Sequence, residues 1–170
     1  MQVVPPAPTI VEQIVRRALS EDIDRGDLTT EACVSPTAMG AAVLNAREPL
    51  VMCGLPIVEE VYAQLDPLVD VERHTDDGDS IEAGAPVATI SGPATAILLG
   101  ERVALNFVQR LSGVSTMTRR FVDALPDGSP TRITDTRKTT PGLRAFERYA
   151  VRCGGGYNHR EDLGAAVLIK

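Results

Sequence analysis

The sequence predicts an α+β domain over residues 1–113, with helices leading onward, and then over 114–170 the first β-α-β part of an incomplete α/β barrel. Three observations predict this. Helical and strand patterns are mixed up to about residue 90. After the linker PDGSP (126–130), a strand-like run, a helical run and a second apolar strand-like run follow one another, the order of a parallel right-handed crossover. A two-stranded parallel sheet leaves its edges open and cannot cover its own apolar strand, so residues 131–170 read as the start of a larger domain. A whole eight-stranded barrel takes about 250 residues, so most of it is expected beyond residue 170.

Element by element, Thr9 is a plausible N-cap, and Val11, Ile14, Val15, Ala18 and Leu19 follow the 3–4 spacing of an amphipathic helix. EDIDRGDLTT (21–30) reads as a solvated acidic loop. Asp22, Asp24 and Asp27 lack the twelve-residue spacing and closing Glu of a calcium-binding loop. MGAAVLNAR (39–47) and residues 50–53 read as strands, and GLPIVEEVYAQLD (54–66) as a helix. LVDVERH (68–74) and APVATI (85–90) flank a turn-rich stretch and suggest a hairpin-like return. From Pro93 the pattern is helical for about thirty residues, with a stripe of Val103, Phe107, Leu111, Val114, Met117 and Phe121 and an expected break at Ser112-Gly113. TRITDT (131–136) reads as a strand, PGLRAFERYAVRC (141–153) as a helix closed by Gly154, and AAVLIK (165–170) as a second strand.

Composition excludes several classes. No apolar run approaches the roughly 18 residues of a membrane span, and the N-terminus lacks the layout of a secretory signal. Three scattered cysteines without CxxC or Cys/His clustering argue for a reducing, cytoplasmic setting and against structural zinc. Net charge is −6, yet residues 131–170 carry eight Lys/Arg against four acids, +4, which leaves −10 on residues 1–130. The acidic bulk and six aromatics disfavour nucleic acid, whereas a basic segment focuses small anions.

Of 17 basic residues only Lys138 and Lys170 are lysines. A compact ammonium does a different job from the planar guanidinium fork. Arg137-Lys138 follow the strand 131–136 and Lys170 ends the strand 165–170, so the cations fall where parallel α/β folds bind ligands, at the carboxyl ends of strands. The connection GGGYNHREDLG (154–164) is long for its kind and can carry His159-Arg160 into the same place; an ordinary loop histidine is the plainer alternative. No phosphate-loop pattern surrounds the glycines. Cys153 reads as a buried helix-end residue rather than a thiol nucleophile, and Glu101-Arg102 as a surface ion-pair position.

ITDTRKTTPGLRAFERYAVRCGGGYNHREDLGAAVLIK, with EDIDRGDLTT, GDSIEAGAPVATISGPA (78–94) and GERVALNFVQRLSGVSTMT (100–118), resembles quinolinate phosphoribosyltransferase, the carboxylating nicotinate-nucleotide pyrophosphorylase, over nearly the whole chain. The resemblance implies an N-terminal α+β domain before an incomplete barrel, and a homodimer or a hexamer of dimers with shared active sites. It implies phosphoribosyl transfer from phosphoribosyl pyrophosphate to quinolinate with loss of CO₂, giving nicotinate mononucleotide and pyrophosphate, with Mg²⁺. By the same resemblance Arg137, Lys138, His159, Arg160 and Lys170 bind quinolinate, with Lys138, Lys170 and His159 catalytic, and Arg102 reaches the partner's site. The acidic ligands for Mg²⁺ are expected beyond Lys170, so residues 1–170 alone are expected to be inactive. Two Arg forks suit a diacid.

Competing readings are a nicotinate-type phosphoribosyltransferase, a non-decarboxylating relative, and a non-catalytic dimerisation scaffold on residues 1–130. A lipoyl or biotinyl carrier is disfavoured because residues 1–137 hold no lysine to modify.

Overall fold

The structure, a computed structural model, describes residues 3–167 and residue 169. Helix α1 runs Pro8–Ile23 and buries Val11, Val15 and Leu19, a spacing of four that keeps one face inward. It starts before the expected cap. Ala7 is the N-cap and Pro8 opens the helix, because a fixed φ and a missing N–H suit that position. The expected acidic loop is mostly helical as well: α1 continues to Ile23, and α2 (Leu28–Cys33) follows, capped by Asp27, whose side chain accepts from Thr29 N and Thr30 N at 3.0 and 3.1 Å.

Strands β1 (Met39–Asn45), β2 (Leu50–Val51), β3 (Asp70–Arg73), β4 (Ser80–Ile81) and β5 (Pro86–Pro93) form two antiparallel sheets, ordered β1-β5-β3 and β2-β4. β3 pairs with β5, as the hairpin-like return anticipates, but the chain between them leaves to place β4 against β2. Helix α3 (Leu55–Leu65) buries Leu55, Ile57, Val58 and Val61, each such side chain worth about 1.5–3 kcal/mol.

The expected break at Ser112-Gly113 does not occur. Helix α4 runs unbroken from Ala94 to Asp123. Its small residues serve a close approach instead. Ser115 Oγ donates to Val51 O at 2.6 Å, Thr116 Oγ1 accepts from Val51 N at 2.9 Å, and Ser112 Oγ accepts from Cys53 N at 3.1 Å. The backbone leaving β2 thus finds its partners on a helix, and glycine in a helix interior is a tolerable loss of about 1 kcal/mol. Of the expected stripe, Val103 and Leu111 are buried, whereas Met117 and Phe121 are 50% and 58% exposed.

Helix α5 (Arg144–Cys153) buries Phe146, Tyr149, Ala150 and Cys153 against α4, with Phe146 and Phe107 ring centroids 6.2 Å apart. Gly154 caps it. A Cβ there would lie 2.4 Å from Ser115 O, so only glycine lets the two helices cross this closely.

The last segment departs from expectation in register. Residues 131–136 form no extended strand; they contribute one parallel bridge, Thr134 with Tyr157. Tyr157 N donates to Ile133 O and Asp135 N to Tyr157 O, both at 2.9 Å. The crossover is parallel as predicted, but the place beside residues 133–135 is taken immediately after the Gly154–Gly156 turn, not at residue 165. Among the described residues of 165–170 there is no strand. No closed barrel forms from these elements.

Candidate active site

In a parallel pair both chains leave in the same direction. Beyond the Thr134–Tyr157 bridge, Arg137-Lys138 on one chain and His159-Arg160 on the other therefore emerge at the same end. Asp135 holds this end together. Its Oδ1 accepts from His159 N at 2.6 Å, and its Oδ2 accepts from Asn158 Nδ2 at 2.7 Å and pairs with Arg148 Nε at 3.3 Å. Arg148 Nη2 then donates to His159 O at 3.1 Å.

A second clamp lies just past Lys138. Glu147 Oε2 accepts from Thr140 N at 3.1 Å, and Arg110 of α4 donates to both Glu147 Oε1 and Thr140 Oγ1. Arg144 Nε donates to Thr139 Oγ1 at 3.2 Å. Burial alone would raise the Glu147 carboxyl, but the bonds from Arg110 and Thr140 outweigh it and hold it below its ordinary 4.5. Residues 139–140 are thereby fixed to both α4 and α5.

Of the sequence-predicted residues, Lys138 and His159 are exposed, and Arg137 and Arg160 half-buried. Arg160 Nη1 donates to Ala166 O at 2.9 Å. Arg137 Nε is buried without a hydrogen-bond partner among the described residues, as are Arg148 Nη1 and Arg152 Nε. Arg102 is exposed on α4 and, among the described residues, shares no hydrogen bond or ion pair with Arg137, Lys138, His159 or Arg160. Lys170 lies outside the described residues. Asp135, Arg148, Asn158, Arg110 and Glu147 were not singled out from the sequence. The available signal was an acid inside the strand-like run ITDT, where a carboxylate needs donors from elsewhere.

One cluster has the composition of a metal site: Cys53, Asp77 and Cys153, with ligand atoms within 4.8 Å of one another. Asp77 is already committed. Its Oδ2 accepts from Gly54 N and Tyr149 Oη, both at 2.8 Å, and its Oδ1 from Leu55 N at 3.1 Å, so it caps α3 from a distant loop and ties α5 to it. Burial pushes the Cys53 thiol well above its ordinary value, and the neighbouring Cys153 adds to this. Burial and then the Asp77 charge raise the Tyr149 hydroxyl in the same way. Two buried cysteines around a carboxylate that already accepts three hydrogen bonds are core packing, and sulfur does not suit Mg²⁺, which takes oxygen ligands. The described residues thus offer Mg²⁺ no fitting set.

Residues 27–112 match the model of the quinolinate phosphoribosyl transferase N-terminal domain, and residues 114–170 that of its C-terminal domain. Among similar proteins, a probable carboxylating nicotinate-nucleotide pyrophosphorylase of Bacillus subtilis (strain 168) is 44% identical over 94% of this chain and 55% of its own length. A mitochondrial decarboxylating quinolinate phosphoribosyltransferase of Nicotiana tabacum is 39% identical over 100% of this chain and 48% of its own. The chain spans about half the length of such relatives. Among solved structures, the nicotinate-nucleotide pyrophosphorylase of Francisella tularensis superposes with a TM-score of 0.93 at 38% identity, covering 99% of this chain and 59% of that one. Human nicotinic acid phosphoribosyltransferase reaches a TM-score of 0.54 at 17% identity over 75% of this chain and 33% of that one, a likeness of fold alone.

Proposed function

The chain belongs to the quinolinate phosphoribosyltransferase family, and from that premise we propose that it serves the transfer of phosphoribose from phosphoribosyl pyrophosphate to quinolinate with loss of CO₂, giving nicotinate mononucleotide and pyrophosphate. The observation that carries this is the parallel Thr134–Tyr157 bridge, which sends Arg137-Lys138 and His159-Arg160 out at one end. Quinolinate presents two adjacent carboxylates. Guanidinium forks at 137 and 160 bind these, each charge-assisted bond worth about 1.5–3 kcal/mol. The buried Arg137 Nε lacks a protein acceptor, and a carboxylate oxygen would supply one.

The Lys138 ammonium, a compact charge on a flexible stem, meets the negative charge that develops as pyrophosphate departs, and Lys170 is assigned the same task. Cations gathered at the one end stabilise that charge electrostatically. The sugar centre is oxocarbenium-like in the transition state, so no protein nucleophile is required. Quinolinate's ring nitrogen forms the new bond to the sugar as pyrophosphate leaves. The adjacent carboxylate then departs as CO₂, and a proton takes its place on the ring.

The same proposal places the division between the α+β domain and the incomplete barrel at residues 113/114, although α4 runs through it without interruption. It places Arg102 in the site of a second copy, within a homodimer or hexamer in the cytoplasm, and draws Mg²⁺ ligands from outside residues 1–170. Assaying purified protein for nicotinate mononucleotide with quinolinate and phosphoribosyl pyrophosphate tests the reaction. Residues 1–170 alone are expected to be inactive, and an active protein containing them must release one CO₂ per nucleotide formed. Nucleotide made without CO₂ would overturn the assignment.

A further inference from the structure

His159 is held in an unusual way. Its N–H donates to Asp135 Oδ1 at 2.6 Å and its C=O accepts from Arg148 Nη2 at 3.1 Å, so both backbone groups are taken by side chains from other segments. Its imidazole, by contrast, makes no hydrogen bond among the described residues and stands exposed. The two clamping side chains are paired with each other and largely buried, 4% exposed for Asp135 and 14% for Arg148. Asn158 Nδ2 completes the set, donating to Asp135 Oδ2 at 2.7 Å and to Arg148 O at 2.9 Å.

A buried ion pair is weak support for stability, because desolvation offsets most of the attraction. Its better-attested use is to select one geometry. Here the selected geometry is a backbone locked on both sides with a side chain left to point outward. Loops do not hold such a position unaided, since fixing a residue's backbone costs about 1–2 kcal/mol in entropy.

We propose that Asp135 is a positioning residue, which fixes the residue 158–160 segment so that His159 and Arg160 face the substrate that Arg137 and Lys138 hold. This rests on the reaction assigned above. Asp135 itself faces inward and touches no substrate. Its chemistry is acceptor-only: three donors from two segments converge on one carboxylate, and an amide in its place must turn an NH₂ toward at least one of them.

The test has two arms. In the first, Asp135→Asn and Asn158→Ala are compared with the unaltered chain by amide hydrogen exchange. Asp135→Asn should speed exchange of the His159 amide about tenfold or more, while the Tyr157 amide, bonded to Ile133 O, changes little. Asn158→Ala keeps the His159 bond and should have the smaller effect. Equal acceleration at 157 and 159 would mean that Asp135 merely stabilises the pairing, and unchanged exchange at 159 would mean that it positions nothing. Either result overturns the inference.

The second arm is kinetic, in active enzyme containing this chain. Asp135→Asn should raise the KM for quinolinate roughly 10- to 100-fold, the range of one lost charge-assisted bond, and shift the KM for phosphoribosyl pyrophosphate much less. An unchanged KM for quinolinate, or equal changes for both substrates, would also overturn it. If the unaltered enzyme shows no quinolinate-dependent turnover, the assigned reaction fails, and the exchange arm still decides whether Asp135 orders His159.

Discussion

Replacing Glu147 by Gln tests the second clamp. The carboxylate accepts from Thr140 N and from Arg110, and it is 13% exposed, whereas Arg110 is 45% exposed. Gln keeps the shape but offers one acceptor oxygen and one donor group, so one of the two bonds becomes a donor facing a donor. A charge-assisted bond is worth about 1.5–3 kcal/mol. With Arg110 partly in water and screened, about 1–2 kcal/mol is the fitting range. For a chain of this length, each kcal/mol moves the unfolding midpoint by about 2–4 °C, so the loss is about 2–8 °C. The pH dependence gives a sharper test. The Glu147 carboxyl is held below its ordinary 4.5 in the folded state, so its contribution is present above 4.5 and is lost as pH falls through the folded value. The difference between Glu147→Gln and the unaltered protein should therefore be full at pH 7 and shrink below pH 4.5. Midpoints measured by circular dichroism from pH 7 to pH 3.5 decide it. A gap of constant size, or none at pH 7, would refute the clamp.

Two glycines in one fold should respond to alanine with opposite signs. At Gly154 the new Cβ would meet Ser115 O at 2.4 Å and Thr118 Cβ at 2.6 Å, so Gly154→Ala should destabilise by about 1–3 kcal/mol. At Gly113, inside α4 with nothing within 4 Å, Gly113→Ala should stabilise by up to about 1 kcal/mol. Urea midpoints check both, and matching signs would contradict the packing. Of the three cysteines, Cys33 is exposed while Cys53 and Cys153 are buried, so a thiol reagent should label one site rapidly in native protein and three after unfolding. Fast labelling of two or more would show that the Cys53–Cys153 core is open.

Much of the fold was legible because it follows local rules. The four-residue stripe of α1, the apolar face of α3 and the amphipathic α5 are written in side-chain periodicity. Asp27 was missed as a cap because its three neighbouring acids look like solvated loop. Ser112-Gly113 reads as a break from residue type alone, yet Ser112 bonds the backbone leaving β2 and Gly113 sits in open space within a regular helix. The strand at 131–136 was overstated because β-forming composition does not say where the partner begins; the three glycines at 154–156 bring Tyr157 back sooner than the apolar run at 165 suggests. For the candidate site, residue type and position after a strand-like run single out 137 and 138, and the long connection at 154–164 singles out 159 and 160; the Thr134–Tyr157 bridge sends both pairs out at one end. The groups that hold them are not singled out in this way. Asp135, Arg148 and Glu147 look like ordinary charges until pairing brings together residues 24 and 37 positions apart.

What remains decisive is whether the guanidiniums proposed to bind substrate, at 137 and 160, distinguish a diacid from a monoacid. Isothermal titration of active enzyme containing this chain, with quinolinate and then nicotinate, measures that difference directly. One further charge-assisted bond predicts quinolinate binding roughly 10- to 100-fold tighter. Equal affinities, or tighter nicotinate, would contradict it.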